Sequence, residues 1–308
     1  MLRKLACVCL VLTTVMPGRA DAQGWESWFS RLPFSHLDPT PFDPRTDPDI
    51  DMYISHWENA VPRTAQGSLV VYDILTRNEG DPLHPTRKGA VLTYLVRVSY
   101  ATLANGKSTT PHALAGEQDI FYVTTGKGTL TAGGVAADLH AYVGILLPPG
   151  IEYTITNTGD ETLAMYCIVE SLPKGFTPNT TMVVRDEDTI PLLSVPGHWA
   201  HVPKTLFWQE TDNTAVLIGM NPVWIDPMTM SQPHSHQPGV EEVWLSIEEG
   251  CDILLGKQIR RFPPGSAMRI PANGNTPHSS INAGDEPIKL LWMMRIPAFQ
   301  KMSPLNVD

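Results

Sequence analysis

An internal repeat limits what this sequence can fold into more than any other feature. Three pairs of short segments resemble each other at a separation of about 125 residues. The pairs are TPHAL at 110–114 with QPHSH at 232–236, LPPG at 147–150 with IPAN at 270–273, and NTGDE at 157–161 with NAGDE at 282–286. A repeat of this length predicts one structural unit present in two copies.

The residue pattern of both copies predicts β-structure. Short runs rich in β-branched and aromatic residues, such as Leu69–Tyr72 and Val91–Val96, alternate with turns rich in Gly, Asn, Asp and Pro. This pattern is typical of an all-β sandwich or barrel. Segments longer than about ten residues lack a 3.6-residue apolar period free of Pro and Gly, so we expect little helix.

Composition predicts the boundaries of five segments. Residues 1–22 combine Arg3 and Lys4 with an apolar run and a small-residue ending, which is typical of a cleavable export signal. We therefore expect a secreted or periplasmic protein. The remaining segments are an extended, proline-rich N-terminal arm at 23–60, a first unit at 61–175, a linker at 176–188 and a second unit at 189–300. The arm is expected to lie on the first unit through its aromatic residues Trp25, Trp28, Phe29 and Trp57.

Charge and cysteine content exclude several classes of partner and scaffold. The formal net charge is −10, and becomes about −12 without residues 1–22. Nucleic acids and anionic lipids bind clustered Lys and Arg, so neither a nucleic acid nor a membrane is expected as a partner. Beyond the signal only Cys167 and Cys251 remain, both in apolar runs. We expect them to pack as small hydrophobic residues, with a bridge between the repeats as the alternative.

The second copy carries residues that suit a metal. His234 and His236 lie two apart, so both side chains point to one face of a strand. Glu241 follows after a bend. If the alternating apolar residues of the next strand, which begin at Val243, face inward, Glu241 shares their face. Glu242 stays open as the alternative ligand, because a slip of one residue turns every side chain over.

His278 completes the candidate set from a strand about 40 residues later. Three imidazoles and one carboxylate suit a divalent transition metal such as Fe, Mn, Cu, Ni or Zn, and they leave a position open for substrate. The competing interpretation is that the three histidines are solvated residues near turns. The nearby His198 and His201 have no matching carboxylate motif and are interpreted as packing residues.

These motifs resemble those of a known family. The sequence His234-Ser235-His236-(four residues)-Glu241, then Gly265-(five residues)-Pro271 and His278-(three residues)-Asn282, is similar to the two conserved motifs of the cupin superfamily. The resemblance covers about 230 residues, and with the duplication it indicates a bicupin. It implies two tandem cupin-type barrels, each a double-stranded β-helix or jelly roll. The turn before His278 is one residue longer than usual, and an expected glycine is displaced to Gly250.

The first copy lacks this set. Its corresponding positions are His112, Leu114, Gln118 or Asp119, and Tyr153. Leucine cannot bind a metal and tyrosine would be an unusual replacement. We therefore expect one degenerate and one metal-binding barrel, with the first cavity filled or apolar.

The resemblance implies a metal-dependent enzyme acting on a small organic substrate. Oxidoreductase chemistry of the dioxygenase or oxidase type is the leading hypothesis, with Glu241 as ligand and general base. The alternatives are a redox-neutral lyase, isomerase or aminohydrolase, and a non-catalytic protein that binds a metal or a sugar. A homodimer is the assembly that the resemblance suggests. Four apolar residues are interpreted as barrel core, with the wall of a substrate pocket as the alternative: Trp244, Trp292, Met293 and Met294.

Overall fold

The computed structural model describes residues 41–193 and 200–296, and within them it is almost entirely β-structure. Strand accounts for 49% and helix for 5%, which confirms the predicted all-β class. The helical part is one short helix, α1 (Gln209–Asp212), and 3₁₀ turns at Ile50–Met52, Trp57–Asn59 and Glu187–Thr189. Within the described ranges, none of the helices is long and apolar enough to cross a membrane.

Twenty-three strands follow one another along the described chain. They are β1 (Ile54–His56), β2 (Arg63–Ala65), β3 (Leu69–Arg77), β4 (Ala90–Leu92), β5 (Leu95–Leu103), β6 (His112–Ala113), β7 (Glu117–Thr125), β8 (Gly128–Ala132), β9 (Val135–Leu139), β10 (Val143–Leu147), β11 (Glu152–Asn157), β12 (Leu163–Ser171), β13 (Val183–Asp186), β14 (His201–Pro203), β15 (Phe207–Trp208), β16 (Gly219–Ile225), β17 (Thr229–Met230), β18 (Glu241–Glu248), β19 (Cys251–Leu255), β20 (Gln258–Phe262), β21 (Ser266–Arg269), β22 (His278–Asn282) and β23 (Ile288–Arg295).

Each repeat forms a larger and a smaller sheet. In the first unit the larger sheet has the order β13-β10-β7-β12-β5-β3-β2, with β4 beside β3, and the smaller sheet has the order β6-β11-β8-β9. In the second unit the larger sheet runs β1-β21-β18-β23-β16-β14, with β15 beside β16, and the smaller sheet runs β17-β22-β19-β20. Within residues 41–193 and 200–296, the contact between β3 and β4 is parallel and the other strand pairings are antiparallel.

The duplication is visible in the strand register. His112 pairs with Tyr153 in the first unit, as His234 pairs with His278 in the second. Asp119 pairs with Leu147, which begins the LPPG segment, and the carbonyl of Glu242 accepts a hydrogen bond from the N–H of Ile270, which begins IPAN. Asp119 is therefore the counterpart of Glu242, which decides between Gln118 and Asp119.

The larger sheets are buried on both faces. In β7, Phe121 belongs to the core of the first barrel, whereas Ile120 belongs to a cluster that also contains Val243 and Leu245 of the second unit. Every residue from Glu241 to Ser246 in β18 is buried. Each larger sheet thus has one face toward its own barrel and the other toward the neighbouring unit.

Two buried glutamates connect the units in opposite directions. Glu170, in β12 of the first unit, accepts hydrogen bonds from the backbone N–H groups of residues 215–217 at 2.7–3.0 Å. Glu241, in β18 of the second unit, accepts from the N–H groups of residues 93–95 at 2.5–3.2 Å. A carboxylate that receives several amide donors is well compensated for the loss of water.

Two segments differ from their predicted roles. Ile54–His56, at the end of the predicted arm, forms β1 and pairs with β21 of the second unit. The ring of Trp57 contacts Tyr72 and Tyr100 of the first unit, at centroid distances of 5.1 and 5.0 Å. Val183–Asp186, which composition places in the linker, forms β13 against β10. Trp25, Trp28 and Phe29 lie outside the described residues.

The two cysteines behave as predicted. Cys167 and Cys251 are both free thiols and both buried, one in each unit. Burial raises the pKa of Cys251 to about 12, so this thiol is not a reactive group at neutral pH.

Candidate metal centre

Three histidines of the second unit converge inside the barrel. His278 begins β22, and the backbone of His234 pairs with it directly, while His236 follows two residues later. The ring centroids lie 4.4–5.1 Å apart, and one nitrogen of each ring lies within 4.8 Å of the others. His234 and His278 are buried, and His236 is nearly so. The structure thus brings together the three histidines that the sequence singles out.

The fourth member of the cluster is Glu242. Its Oε2 lies 2.6 Å from Nε2 of His236 and 3.0 Å from Nε2 of His278. Glu241 is not part of the cluster, because its carboxylate faces the first unit and binds the amides of residues 93–95. The prediction of Glu241 as ligand and general base is therefore wrong, and the alternative, Glu242, lies where the carboxylate was expected.

The physical reason is that both faces of β18 are buried. The prediction assumed that the apolar residues Val243 and Leu245 face the barrel interior, but that face packs on the first unit together with Glu241. The other face contains Glu242 and Ser246, whose hydroxyl donates to the carbonyl of Phe262 in the smaller sheet. That face lines the barrel. An alternating pattern cannot separate interior from interface when both are apolar.

Burial and the neighbouring charges set the protonation states of the cluster. Burial, reinforced by the other two imidazoles, holds the pKa of His234 well below its ordinary value, so the ring is neutral. Burial alone would raise the pKa of Glu242, but His236 and His278 outweigh it and hold that pKa well below the ordinary range. A neutral imidazole and an ionised carboxylate are the forms that bind metals.

The cluster fits a metal ion by a further criterion, the isolation of its polar atoms from the rest of the protein. Nε2 of His236 and Nε2 of His278 are buried and lie 2.6 and 3.0 Å from the buried Oε2 of Glu242, and none of the three atoms has a hydrogen bond to a group outside the cluster. Buried polar atoms that have only one another as neighbours call for an explanation. Nδ1 of His234 lies 2.9 Å from the carbonyl oxygen of Gln232, and this hydrogen bond fixes the orientation of the ring.

Two tryptophans hold the other oxygen of the carboxylate. Nε1 of Trp244 donates to Oε1 of Glu242 at 3.0 Å, and Nε1 of Trp292 donates to the same atom at 2.9 Å. Both residues were interpreted as barrel core, and sequence reasoning missed their polar role. The available signal is the i, i+2 spacing of Glu242 and Trp244, which places both side chains on one face of a strand.

The corresponding place in the first unit is built differently. Leu114 and Tyr153 are part of the first barrel's hydrophobic core, as expected for a filled cavity. His112 is exposed, and the hydroxyl of Tyr153 accepts from the side chain of Gln66 at 2.7 Å. Burial raises the pKa of Asp119 to about 7. Among the described residues, His234, His236 and His278 are the group whose spacing suits an ion.

Of the other two candidate histidines, only His201 lies in the described residues. It is in β14, and its ring packs at a tilt against Trp244, with centroids 5.7 Å apart. This agrees with the packing interpretation. His198 lies outside the described residues.

Comparison with known proteins supports the fold assignment. Residues 99–169, from β5 to β12, match the family described as "Cupin domain". The structure is similar to that of a putative glyoxylate induced protein from Pseudomonas aeruginosa, with 15% identity, a TM-score of 0.66, and coverage of 88% of this chain and 98% of that one. It is also similar to Lactobacillus farciminis oxalate decarboxylase in its formate complex (13% identity, TM-score 0.59, coverage 83% and 94%) and to hazelnut (Corylus avellana) vicilin (10%, 0.61, 79% and 85%). No curated protein matches the sequence.

These similarities concern the fold of the chain. The fold is an all-β jelly roll similar to that of cupins, and the family match is limited to residues 99–169. The family match lies in the first unit, whereas the four candidate ligands lie in the second.

Proposed function

We propose that the second unit binds one divalent first-row transition metal through His234, His236, Glu242 and His278, and that the protein is a metal-dependent enzyme acting on a small organic substrate. The observation that supports this most directly is the convergence of three imidazoles, with one nitrogen of each within 4.8 Å of the others, beside a buried carboxylate oxygen that lies 2.6 and 3.0 Å from two of them. Nitrogen and oxygen donors of this kind suit iron, manganese, copper, nickel or zinc.

The ligand count favours a catalytic role over a structural one. Four protein donors leave one or two positions of a five- or six-coordinate ion for water or substrate. A metal bound there would act as a Lewis acid or as a centre for electron transfer. The protein's own contribution is to keep the imidazole of His234 neutral and the carboxylate of Glu242 ionised. It also provides apolar surroundings, since Ile218, Val240 and Met294 form a small cluster at this end of the sheet.

The reaction class that we propose first is oxidoreductase chemistry with dioxygen, of the dioxygenase or oxidase type. A second candidate is a redox-neutral decarboxylation, and the structural similarity to oxalate decarboxylases favours it. The two differ in what they consume. Uptake of dioxygen by the metal-loaded protein, with small organic acids including oxalate as probes, supports the first class. Release of carbon dioxide without net dioxygen uptake supports the second.

Metal analysis tests the proposed site itself. Wild-type protein purified without chelator is expected to contain about one equivalent of a first-row metal, and His278→Ala is expected to lose most of it, since one of four ligands is removed. The matched control is His112→Ala, which changes the first unit's counterpart of His234 and is expected to leave the metal content unchanged. Equal metal content in wild type and His278→Ala would contradict the proposed site.

We also propose that residues 1–22 direct export and are cleaved, and that the mature chain forms a homodimer. Both proposals come from the sequence. The N-terminal mass of protein recovered from the extracytoplasmic fraction tests the first, and light scattering of the purified protein tests the second. A mature protein that keeps its first 22 residues, or a monomer at micromolar concentration, would contradict the respective proposal.

A further inference from the structure

The two oxygens of Glu242 have different surroundings. Oε2 lies against Nε2 of His236 and Nε2 of His278. Oε1 accepts two hydrogen bonds, from the indole N–H groups of Trp244 and Trp292. An indole N–H is a donor only, so it cannot bind a metal and cannot exchange roles with the carboxylate. Each oxygen of Glu242 therefore has a separate task.

Strand geometry holds the two indoles in place. Trp244 and Trp292 are direct partners across β18 and β23, so both rings lie on the face that Glu242 also uses. Trp244 is buried and Trp292 is half-buried. The two donors thus come from two paired strands in the interior of the larger sheet.

The first unit shows that packing of this strand pair does not require indoles. The counterparts of Trp244 and Trp292 are Phe121 and Cys167, which pair in the same way across β7 and β12. A phenyl ring has no N–H, and a buried thiol is only a weak donor. Oδ1 of Asp119, on the corresponding carboxylate, has no hydrogen-bond partner. The unit that lacks the histidine ligands therefore also lacks the two donors.

We propose that Trp244 and Trp292 are positioning residues that restrict Glu242 to metal binding through Oε2 alone. This inference rests on the proposed function, because it concerns the same four ligands. Two charge-assisted hydrogen bonds hold Oε1 back from the histidines. Groups that hydrogen-bond to a ligand in this way set its orientation and usually affect metal affinity strongly.

The clamp formed by the two indoles has a chemical consequence. A carboxylate bound through both oxygens would occupy one of the positions that a substrate needs, and the clamp keeps that position free. It also prevents the carboxylate from rotating away to accept a proton. Glu242 is therefore a fixed anionic ligand, and a proton that must be moved in the reaction is accepted by another group or by the substrate itself.

Replacement of the indoles by phenyl rings tests this inference with Mn²⁺ as the probe. Trp244→Phe, Trp292→Phe and the double variant keep an apolar ring and remove one or both N–H donors. The control is Trp224→Phe in the neighbouring strand β16, where the ring lies 5.1 Å from Nζ of Lys289, the cross-strand partner of Trp224. Calorimetric titration gives the Mn²⁺ affinity, and water-proton relaxation of the Mn²⁺-loaded protein gives the number of exchangeable waters. Circular dichroism confirms folding.

We expect the double variant to bind Mn²⁺ about tenfold more weakly or worse, and to have one exchangeable water fewer, because the released Oε1 takes a coordination position. The control should match wild type in both measurements. If the double variant does not fold, Trp292→Phe alone provides the test, since its ring is half-buried. Unchanged affinity and water number in folded variants would overturn this inference and leave the metal site intact. A wild-type protein that binds no Mn²⁺ or other divalent metal would overturn the proposed function and this inference together.

Discussion

Replacement of Glu241 by glutamine should show that the adjacent residues Glu241 and Glu242 have different roles, the first in stability and the second in metal binding. Glu241 is 1% exposed, so its charge is hardly screened by solvent. Its carboxylate accepts hydrogen bonds from the three amides of residues 93–95 in the other unit. Glutamine keeps the shape of the side chain but has only one acceptor oxygen. Its NH₂ group replaces the second oxygen and therefore faces a backbone N–H donor.

The size of the effect follows from these contacts. At least one of the three amides loses its acceptor, and a buried donor without a partner costs about 1–3 kcal/mol. The remaining hydrogen bonds lose the strengthening that an ionised acceptor provides. We therefore expect Glu241→Gln to lower the free energy of unfolding by about 3 kcal/mol, within the range for breaking a buried charged contact.

Urea denaturation at neutral pH, followed by tryptophan fluorescence and far-ultraviolet circular dichroism, measures this loss. The control is Glu161→Gln, an exposed glutamate in a turn, for which we expect a change of less than about 0.5 kcal/mol. Metal content of Glu241→Gln should stay near that of wild type, since this carboxylate is not in the cluster. A loss of stability below about 1 kcal/mol would refute the reasoning that this carboxylate links the units.

Two further predictions concern buried charges outside the site. Burial raises the pKa of Asp119 from 3.8 to about 7. The stability that the protonated carboxyl contributes is therefore fully present below about pH 4 and is lost as the pH rises through 7. A shift of three pKa units corresponds to a change of about 4 kcal/mol in the free energy of unfolding. Asp119→Asn should therefore match wild type near pH 4 and be more stable near pH 8 in denaturation experiments, and parallel pH profiles of the two proteins would argue against it. Nζ of Lys289 lies 2.8 Å from the Glu187 carboxylate and 3.2 Å from the centre of the Tyr142 ring, with both charged groups buried. Lys289→Met leaves that carboxylate buried without its cation and should cost about 3–5 kcal/mol in thermal or urea unfolding, whereas an unchanged midpoint would show that the ion pair contributes little.

The sequence predicted most of the fold and three of the four clustered residues because these features depend on local order. The period of two along a strand places His234 and His236 on one side, and the second motif, which runs from Gly265 to Asn282, contains His278. Turn residues at short intervals predicted the all-β class for the same reason. Each of these inferences uses only the spacing of residues along the chain.

Tertiary structure decided the roles of four further residues, Glu241, Glu242, Trp244 and Trp292. Adjacent residues of a strand point to opposite faces, and here one face lines a barrel while the other packs on the neighbouring unit. Both environments are apolar and both contain a buried carboxylate, so the residue pattern is the same for either assignment. The first unit lies against one face of β18, and its backbone amides at residues 93–95 bind Glu241. Glu242 is on the opposite face and therefore points to the histidines.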